Sequence, residues 1–193
     1  LLILTGSGTS AMESAVVNTL SSGDKVLAIS IGVFGTRFAD IASVYGVDVQ
    51  RVNYEFGEAA SPSDIATILS QDPEIKAVMV THNETSTGVT NDIKAIAKIV
   101  KEDSNRLLLI DAVSSLGSIP CPVDELGADV VISGSQKGWM VPPGLAMVAM
   151  STRAWEAYEQ SNLPKFYLDL GKAKDYLARG QTPWTPAVSV FYA

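Results

Sequence analysis

One cysteine and one histidine are the whole supply of thiol and imidazole ligands in this chain. The lone thiol, Cys121, excludes an internal disulfide and points to a reducing, intracellular compartment: cytoplasmic, or peroxisomal or mitochondrial in a eukaryote. The lone imidazole, His82, cannot build a histidine-rich metal site, so no metal centre is expected. Charge is sparse as well. Charged residues make up 18% of the chain, the net charge is −7 and no basic cluster occurs, which argues against nucleic acid or an anionic membrane as partner. No apolar run approaches the roughly 20 residues that cross a bilayer.

What the chain does have is apolar content, 47% of 193 residues, enough for one sizeable core and too much for a disordered segment. Apolar runs of strand length alternate with segments of helical period, the pattern of an α/β domain with a mostly parallel sheet. Strands are predicted at Leu1–Leu4, Lys25–Ile31, Asp48–Val52, Ala77–Thr81, Arg106–Asp111, Asp129–Ser133 and Leu145–Met150, giving a seven-stranded sheet. Helices are predicted at Ser10–Ser21, Gly35–Tyr45, Pro62–Ser70, Asn91–Glu102 and Ser151–Gln160. Ser61 with Pro62, and Ser151 or Thr152, are suited to start helices.

Near-continuous runs such as Val78-Met79-Val80 and Val130-Val131-Ile132 imply strands buried on both faces. The last strand follows Pro142-Pro143-Gly144 after too short a link for a helical crossover, so it is expected to run antiparallel. Right-handed crossovers then place the loops after the parallel strands at one edge, where such sheets bind ligands. From about Leu163 the pattern weakens, and residues 163–193 read as a lid, linker or connecting segment. Leu1–Leu4 opens as a strand with no lead-in and Val188–Ala193 stops inside an apolar stretch; both ends read as cut from a longer polypeptide.

Two residues at the binding edge suggest the chemistry. Lys137, within Ser133-Gly134-Ser135-Gln136-Lys137-Gly138-Trp139, is an amine tethered just past a buried strand. Asp111 closes another such strand, Leu107–Ile110, where a carboxylate is costly unless it is paired or hydrogen-bonded. An amine that forms an imine and a carboxylate that keeps a pyridine nitrogen protonated are what a pyridoxal 5′-phosphate (PLP) enzyme requires. Thr5-Gly6-Ser7-Gly8-Thr9-Ser10-Ala11 lies between a strand and a helix, where glycines, amides and hydroxyls can cradle a phosphate. The same letters satisfy the dinucleotide pattern G-x-G-x-x-A, but the next strand ends Ser30-Ile31-Gly32 with no carboxylate for a ribose. In the polar cluster Thr81–Gly88, hydroxyls could bond a cofactor's phenolic oxygen, and His82 reads as a capping or loop-bracing residue. Val113 can present an apolar side chain to one face of a ring. Phe34, in a loop between Gly32 and Gly35, can either stack on the other face or plug the core.

Taken together, TGSGTSAMESA, SIGVFGTRFAD, THNETSTGV, LLLIDAVSSLGSIP, GADVVISGSQKGWMVPPGLAMV and RGQTPWTPAVS resemble the class V aminotransferases of PLP fold type I, in particular the alanine–glyoxylate and serine–glyoxylate type. The resemblance covers nearly the whole chain. SGSQKG followed by PPG differs from cysteine desulfurases, which usually carry a histidine just before the lysine. It implies a three-layer αβα large domain over residues 1–162, truncated at its N-terminal side. Residues 163–193 would be a connecting or dimer-contact segment, with the small C-terminal domain expected to lie outside this sequence. It further implies that Lys137 forms the Schiff base with the cofactor and that Asp111 pairs with the pyridinium nitrogen. Ser7, Gly8, Thr9 and Gln136 would bind the phosphate, Thr85 would approach the phenolic oxygen, and Phe34 and Val113 would cover the two ring faces. Thr185 would reach the phosphate of a neighbouring subunit, which implies a homodimer with shared sites. None of Arg37, Arg51, Arg106, Arg153 or Arg179 matches the family's arginine for the substrate carboxylate.

The expected reaction of the intact enzyme is a ping-pong transamination from a small amino acid, alanine or serine, to a 2-oxo acid such as glyoxylate or pyruvate. Another class V PLP enzyme, a desulfurase or lyase, is the first alternative. A non-catalytic truncated domain that only folds or dimerises is the second, and a Rossmann dehydrogenase the third.

Overall fold

The computed structural model describes residues 1–103 and 105–193. Its first half runs β1 (Leu2–Thr5), α1 (Gly8–Thr19), β2 (Lys25–Ser30), α2 (Val33–Val44), β3 (Asp48–Asn53), α3 (Pro62–Gln71) and β4 (Ala77–Thr81). There follow β5 (Asn83–Glu84), β6 (Val89–Thr90), α4 (Ile93–Val100), β7 (Leu107–Asp111), β8 (Val130–Gly134), β9 (Leu145–Met150), α5 (Thr152–Gln160), α6 (Leu170–Leu177) and α7 (Val188–Phe191).

Seven strands form one sheet in the order β1-β9-β8-β7-β4-β2-β3. The pairs β3–β2, β2–β4, β4–β7 and β7–β8 are parallel, whereas β9 pairs antiparallel with both β8 and β1. Two reversals restore direction, so β1 runs with the majority and β9 alone opposes it. The expected antiparallel last strand is present, inserted between β8 and β1. The polar cluster after β4 contains a feature that its letters do not announce, the two-stranded ribbon β5–β6.

Strand periodicity divides the core into two layers. Leu107 and Leu109 of β7, with Ala77 and Met79 of β4 and Val130 and Ile132 of β8, pack under α1, α2, α5 and α6. Leu108 and Ile110, with Val78, Val80 and Val131, pack under α3 and α4 on the other face. The alternation has a consequence for the site. Asp111 continues the 107, 109, 111 series, so its side chain faces the α1–α2 layer.

Helix starts differ from the expected bounds for local reasons. Helix α1 begins at Gly8 because Ser7 and Ser10 cap each other: Ser7 N donates to Ser10 Oγ at 2.9 Å and Ser10 N to Ser7 Oγ at 3.4 Å. Helix α4 begins after Asp92, whose carboxylate accepts from Ala95 N at 3.0 Å. Asn91 is thereby left outside the helix, with its amide bonded to Thr81 O and Ala60 N. Ser61 and Ser151 cap α3 and α5 as expected. Beyond residue 163, α6 lies in the stretch read as a connecting segment, docked through Leu170 and Ala173. The buried amide of Asn18 on α1 holds it there, donating to Leu168 O at 2.7 Å and accepting from Leu170 N at 3.0 Å.

Away from the binding edge, Asp129 ties three elements together. Its buried carboxylate accepts from Lys101 Nζ at 2.5 Å, Arg153 Nη2 at 2.9 Å, Leu108 N at 2.8 Å and Ser151 Oγ at 2.9 Å. Removing it takes the counter-charge from Lys101 and Arg153 and leaves the buried Leu108 N–H without its acceptor. Asp129→Ala is expected to cost about 3–5 kcal/mol of unfolding free energy, read as a lower urea midpoint at constant slope. A midpoint unchanged from wild type would contradict this role.

Candidate active site

Four parallel strands, β1, β4, β7 and β8, deliver Thr5, Thr81, Asp111 and Gly134 to the same edge of the sheet. Thr81 is the register partner of Asp111 on the adjacent strand. The Asp111 carboxyl is 3% exposed. Val113 N donates to its Oδ1 at 2.9 Å and Thr81 Oγ1 to its Oδ2 at 3.3 Å. It forms no ion pair with any described residue. Burial pushes its pKa up, to about 6 from the usual 3.8; the two hydrogen bonds and the Arg37 charge pull the other way, and the Glu84 charge adds to the rise. This is a carboxylate placed for a cation that the protein itself does not supply.

The start of α1 faces the same cleft. Ser10 N is taken by the Ser7 hydroxyl, while the N–H groups of Gly8 and Thr9 donate to no described residue. With no acidic side chain in the first turn, this helix end is electrostatically open to an anion. Gly8 must be small: a Cβ there would come within 2.9 Å of both Val113 methyl groups. The absence of that carbon lets the phosphate-cradling turn and the apolar wall of Val113 close on one narrow slot.

Lys137 emerges from the turn after β8. Its ε-amine has no hydrogen bond or ion pair to any described residue, and the side chain lines the cleft beside Gln136. The turn is braced from both sides. Trp139 Nε1 donates to Ser133 Oγ at 3.0 Å, Ser135 Oγ donates to Pro142 O at 2.8 Å, and Met140 N donates to Lys137 O at 3.0 Å. Gly138 rests against the turn of residues 116–118, where a Cβ would stand 2.4 Å from Leu116 O.

The third wall is the start of α2. Phe34 was expected in a loop and lies instead in the first helical turn. Glu84 makes this possible. Fully buried at the end of β5, its Oε2 accepts from Phe34 N at 2.9 Å and Gly35 N at 3.1 Å, and its Oε1 accepts from the Ser86 hydroxyl at 2.7 Å and Ser86 N at 3.1 Å. A buried carboxylate thus does the N-capping that Gly32 cannot provide. One turn along α2, Arg37 lays its guanidinium 4.7 Å from the Phe34 ring centroid, and its Nη1 donates to Thr9 Oγ1 at 3.3 Å.

A cleft of about 250 Å³ collects Ser7, Gly8, Thr9, Phe34, Thr85, Asp111, Val113, Gln136 and Lys137 in one place. Thr185 stands apart from it, exposed in the segment before α7. Met12, Arg37, Asn83 and Ser114 also line the cleft and were not assigned to it from the sequence. His82 sits beneath it, its backbone N–H bonded to Asp111 O at 2.8 Å and its buried Nδ1 without a partner among the described residues. Burial lowers the pKa of that imidazole. The donor set fits PLP group by group: free amides and hydroxyls for a phosphate, an uncompensated carboxylate for a ring cation, an unengaged amine for an aldehyde, and apolar side chains flanking a slot.

The family described as aminotransferase class-V matches residues 1–175. The chain is 50% identical, over its whole length, to a protein of Synechococcus sp. (strain PCC 6716) named soluble hydrogenase, small subunit, and covers 50% of it. It is 42% identical to the L-aspartate–glyoxylate aminotransferase of Paracoccus denitrificans, over 95% of this chain and 47% of that protein. Among solved structures, an alanine–glyoxylate aminotransferase from Nostoc sp. superposes with a TM-score of 0.92 at 33% identity, over 98% of this chain and 51% of that one. The chain spans about half the length of the curated relatives it matches.

The raised pKa of Asp111 makes a pH signature. Because its folded value lies above the unfolded one, the native protein keeps a proton that the unfolded chain has already lost between pH 3.8 and about 6. Its contribution to folding is fully present below the lower value and lost as pH rises through the upper one, a loss on the order of 3 kcal/mol. Asp111→Asn in the cofactor-free protein is therefore expected to match wild type at about pH 4 and to exceed it in urea resistance by that order at about pH 7. A difference that does not change with pH would contradict the buried-charge account.

Proposed function

This chain belongs to the class-V aminotransferases, and we propose that it is the cofactor-holding part of a PLP-dependent enzyme that moves an amino group from alanine or serine to a 2-oxo acid such as glyoxylate or pyruvate. One observation carries the reading: Lys137, Asp111 and the Ser7–Thr9 turn line the same cleft. The names of the relatives, which include aspartate–, serine– and alanine–glyoxylate aminotransferases, support glyoxylate as acceptor. Residues 1–162 would form the cofactor domain and residues 163–193 the connection onward. Intracellular residence stays the expectation set by the single cysteine.

When bound, the cofactor supplies an electron sink for the pair released at the substrate Cα. The chain supplies position and charge. The Ser7 hydroxyl, the Gly8 and Thr9 amides and the Gln136 side chain hold the phosphate at the helix end. Asp111 keeps the proton on the ring nitrogen, since a carboxylate in a dry site gains most when its neighbour is a cation. Phe34 and Val113 cover the ring faces and keep water out. The Thr85 hydroxyl bonds the phenolic oxygen. Lys137 would hold the cofactor through its ε-amine, and the same amine, when free, would be placed to take and return the proton at the substrate Cα. Thr185, exposed and outside this cleft, would serve the phosphate site of a second copy in a homodimer.

Borohydride reduction of the protein loaded with PLP is expected to fix the cofactor on the peptide containing Lys137, seen by mass, and Lys137→Ala to abolish the adduct. An adduct on another lysine, or one that persists in K137A, would remove the assignment. Assayed in the whole polypeptide, glyoxylate or pyruvate should accept the amino group with no sulfide released from cysteine; sulfide release without transamination would favour the desulfurase alternative.

A further inference from the structure

We propose that Arg37 is a further cofactor-binding residue, its guanidinium supplying the positive charge that faces the phosphate. This rests on the reading of the cleft as a PLP site. A phosphate monoester carries about −1.5 to −2 charge near neutral pH. The groups assigned to it, the hydroxyls of Ser7 and Thr9, the amides of Gly8 and Thr9 and the Gln136 side chain, are all neutral, and a helix end contributes only about half a charge. Two cations line the cleft, Lys137 and Arg37. Lys137 is committed to the aldehyde, which leaves Arg37.

The geometry suits the task. Arg37 is half-buried and forms no ion pair with any described residue. Its one hydrogen bond goes to Thr9 Oγ1 at 3.3 Å, so most of the five donors of the guanidinium remain available. Because the Thr9 oxygen accepts that bond, its own O–H is free to turn toward the anion. The Phe34 ring, 4.7 Å from the guanidinium carbon, gives the cation an apolar support that water does not provide. Arginine binds phosphate through paired donors in a fixed plane, which a neutral cup of hydroxyls cannot imitate.

The test compares PLP with pyridoxal, the same ring lacking the phosphate, by absorbance titration of wild type, Arg37→Gln and Arg37→Lys. R37Q is expected to weaken PLP binding roughly ten- to a hundredfold while changing pyridoxal binding by less than about twofold, with R37K in between. Inorganic phosphate should raise the melting temperature of the cofactor-free wild type and do so much less in R37Q. Equal losses for PLP and pyridoxal would reduce Arg37 to a structural support of Phe34 and overturn the proposal. So would unchanged PLP affinity with a raised KM for a dicarboxylic donor, which would move the cation to the substrate. Should R37Q fail to fold, R37K decides alone, a ratio of PLP to pyridoxal affinity unchanged from wild type being the contrary result. Failure of wild type to form a borohydride-fixed adduct would instead defeat the PLP reading itself, a separate outcome.

Discussion

A carboxylate buried without a counter-cation is the constraint around which this molecule is arranged. Asp111 reaches its position because β7 alternates Leu107, Leu109, Asp111 on one face, so the residue that ends the apolar series points where the series points. Parallel pairing with β4 and β8 gives it no ion pair with any described residue, and its hydrogen bonds come from Thr81 and the Val113 amide. Two hydrogen bonds are too few to hold its acidity at the ordinary value. Such a group is a cost to the folded protein and an asset to a binding site, since the same dry surroundings that penalise it strengthen its attraction for a cationic ring.

The rest of the cleft follows from where helices begin. Helix α1 starts with the Ser7–Ser10 exchange and leaves two amides open, while α2 starts on the buried Glu84 carboxylate and thereby sets both Phe34 and Arg37. The two starts meet through the Arg37–Thr9 bond. Glu84 sits on the short ribbon that also carries Thr85 at its turn, so one element governs the stacking wall and the hydroxyl expected at the phenolic oxygen. Positioning is therefore shared between strand ends, which are rigid, and helix caps, which are specific.

Much of this was legible in the letters. The main strands, the antiparallel sense of β9 and the strand-end placement of Asp111 and Lys137 follow from apolar runs, short links and polar residues that close those runs. Local chemistry also showed the Ser61 and Ser151 caps. What stayed hidden depends on contacts between distant residues. Helix α6 carries a weak periodic signal and is fixed by Asn18, some 150 positions earlier. The seat of β9 between β8 and β1 is a pairing choice that no local pattern encodes. Glu84 looks like any loop acid until its oxygens are seen on the α2 amides. Arg37 could be excluded as the family's substrate arginine by its position; its place over Phe34 follows only once α2 is seen to start before Phe34, and its bond to Thr9 joins residues 28 positions apart.

The half-length span relative to the curated relatives concentrates the account on cofactor binding, which the described residues can carry, and leaves substrate choice to the whole polypeptide. The central claim is that Asp111 holds a proton on the nitrogen of a bound pyridine ring. Nitrogen NMR of the protein loaded with PLP labelled with nitrogen-15 at the ring tests it most directly. A resonance that stays in the protonated range from mildly acid to alkaline pH, and shifts to the neutral range in Asp111→Asn, is the expected result. A ring nitrogen that titrates like the free cofactor in wild type, or that does not respond to the substitution, would contradict it.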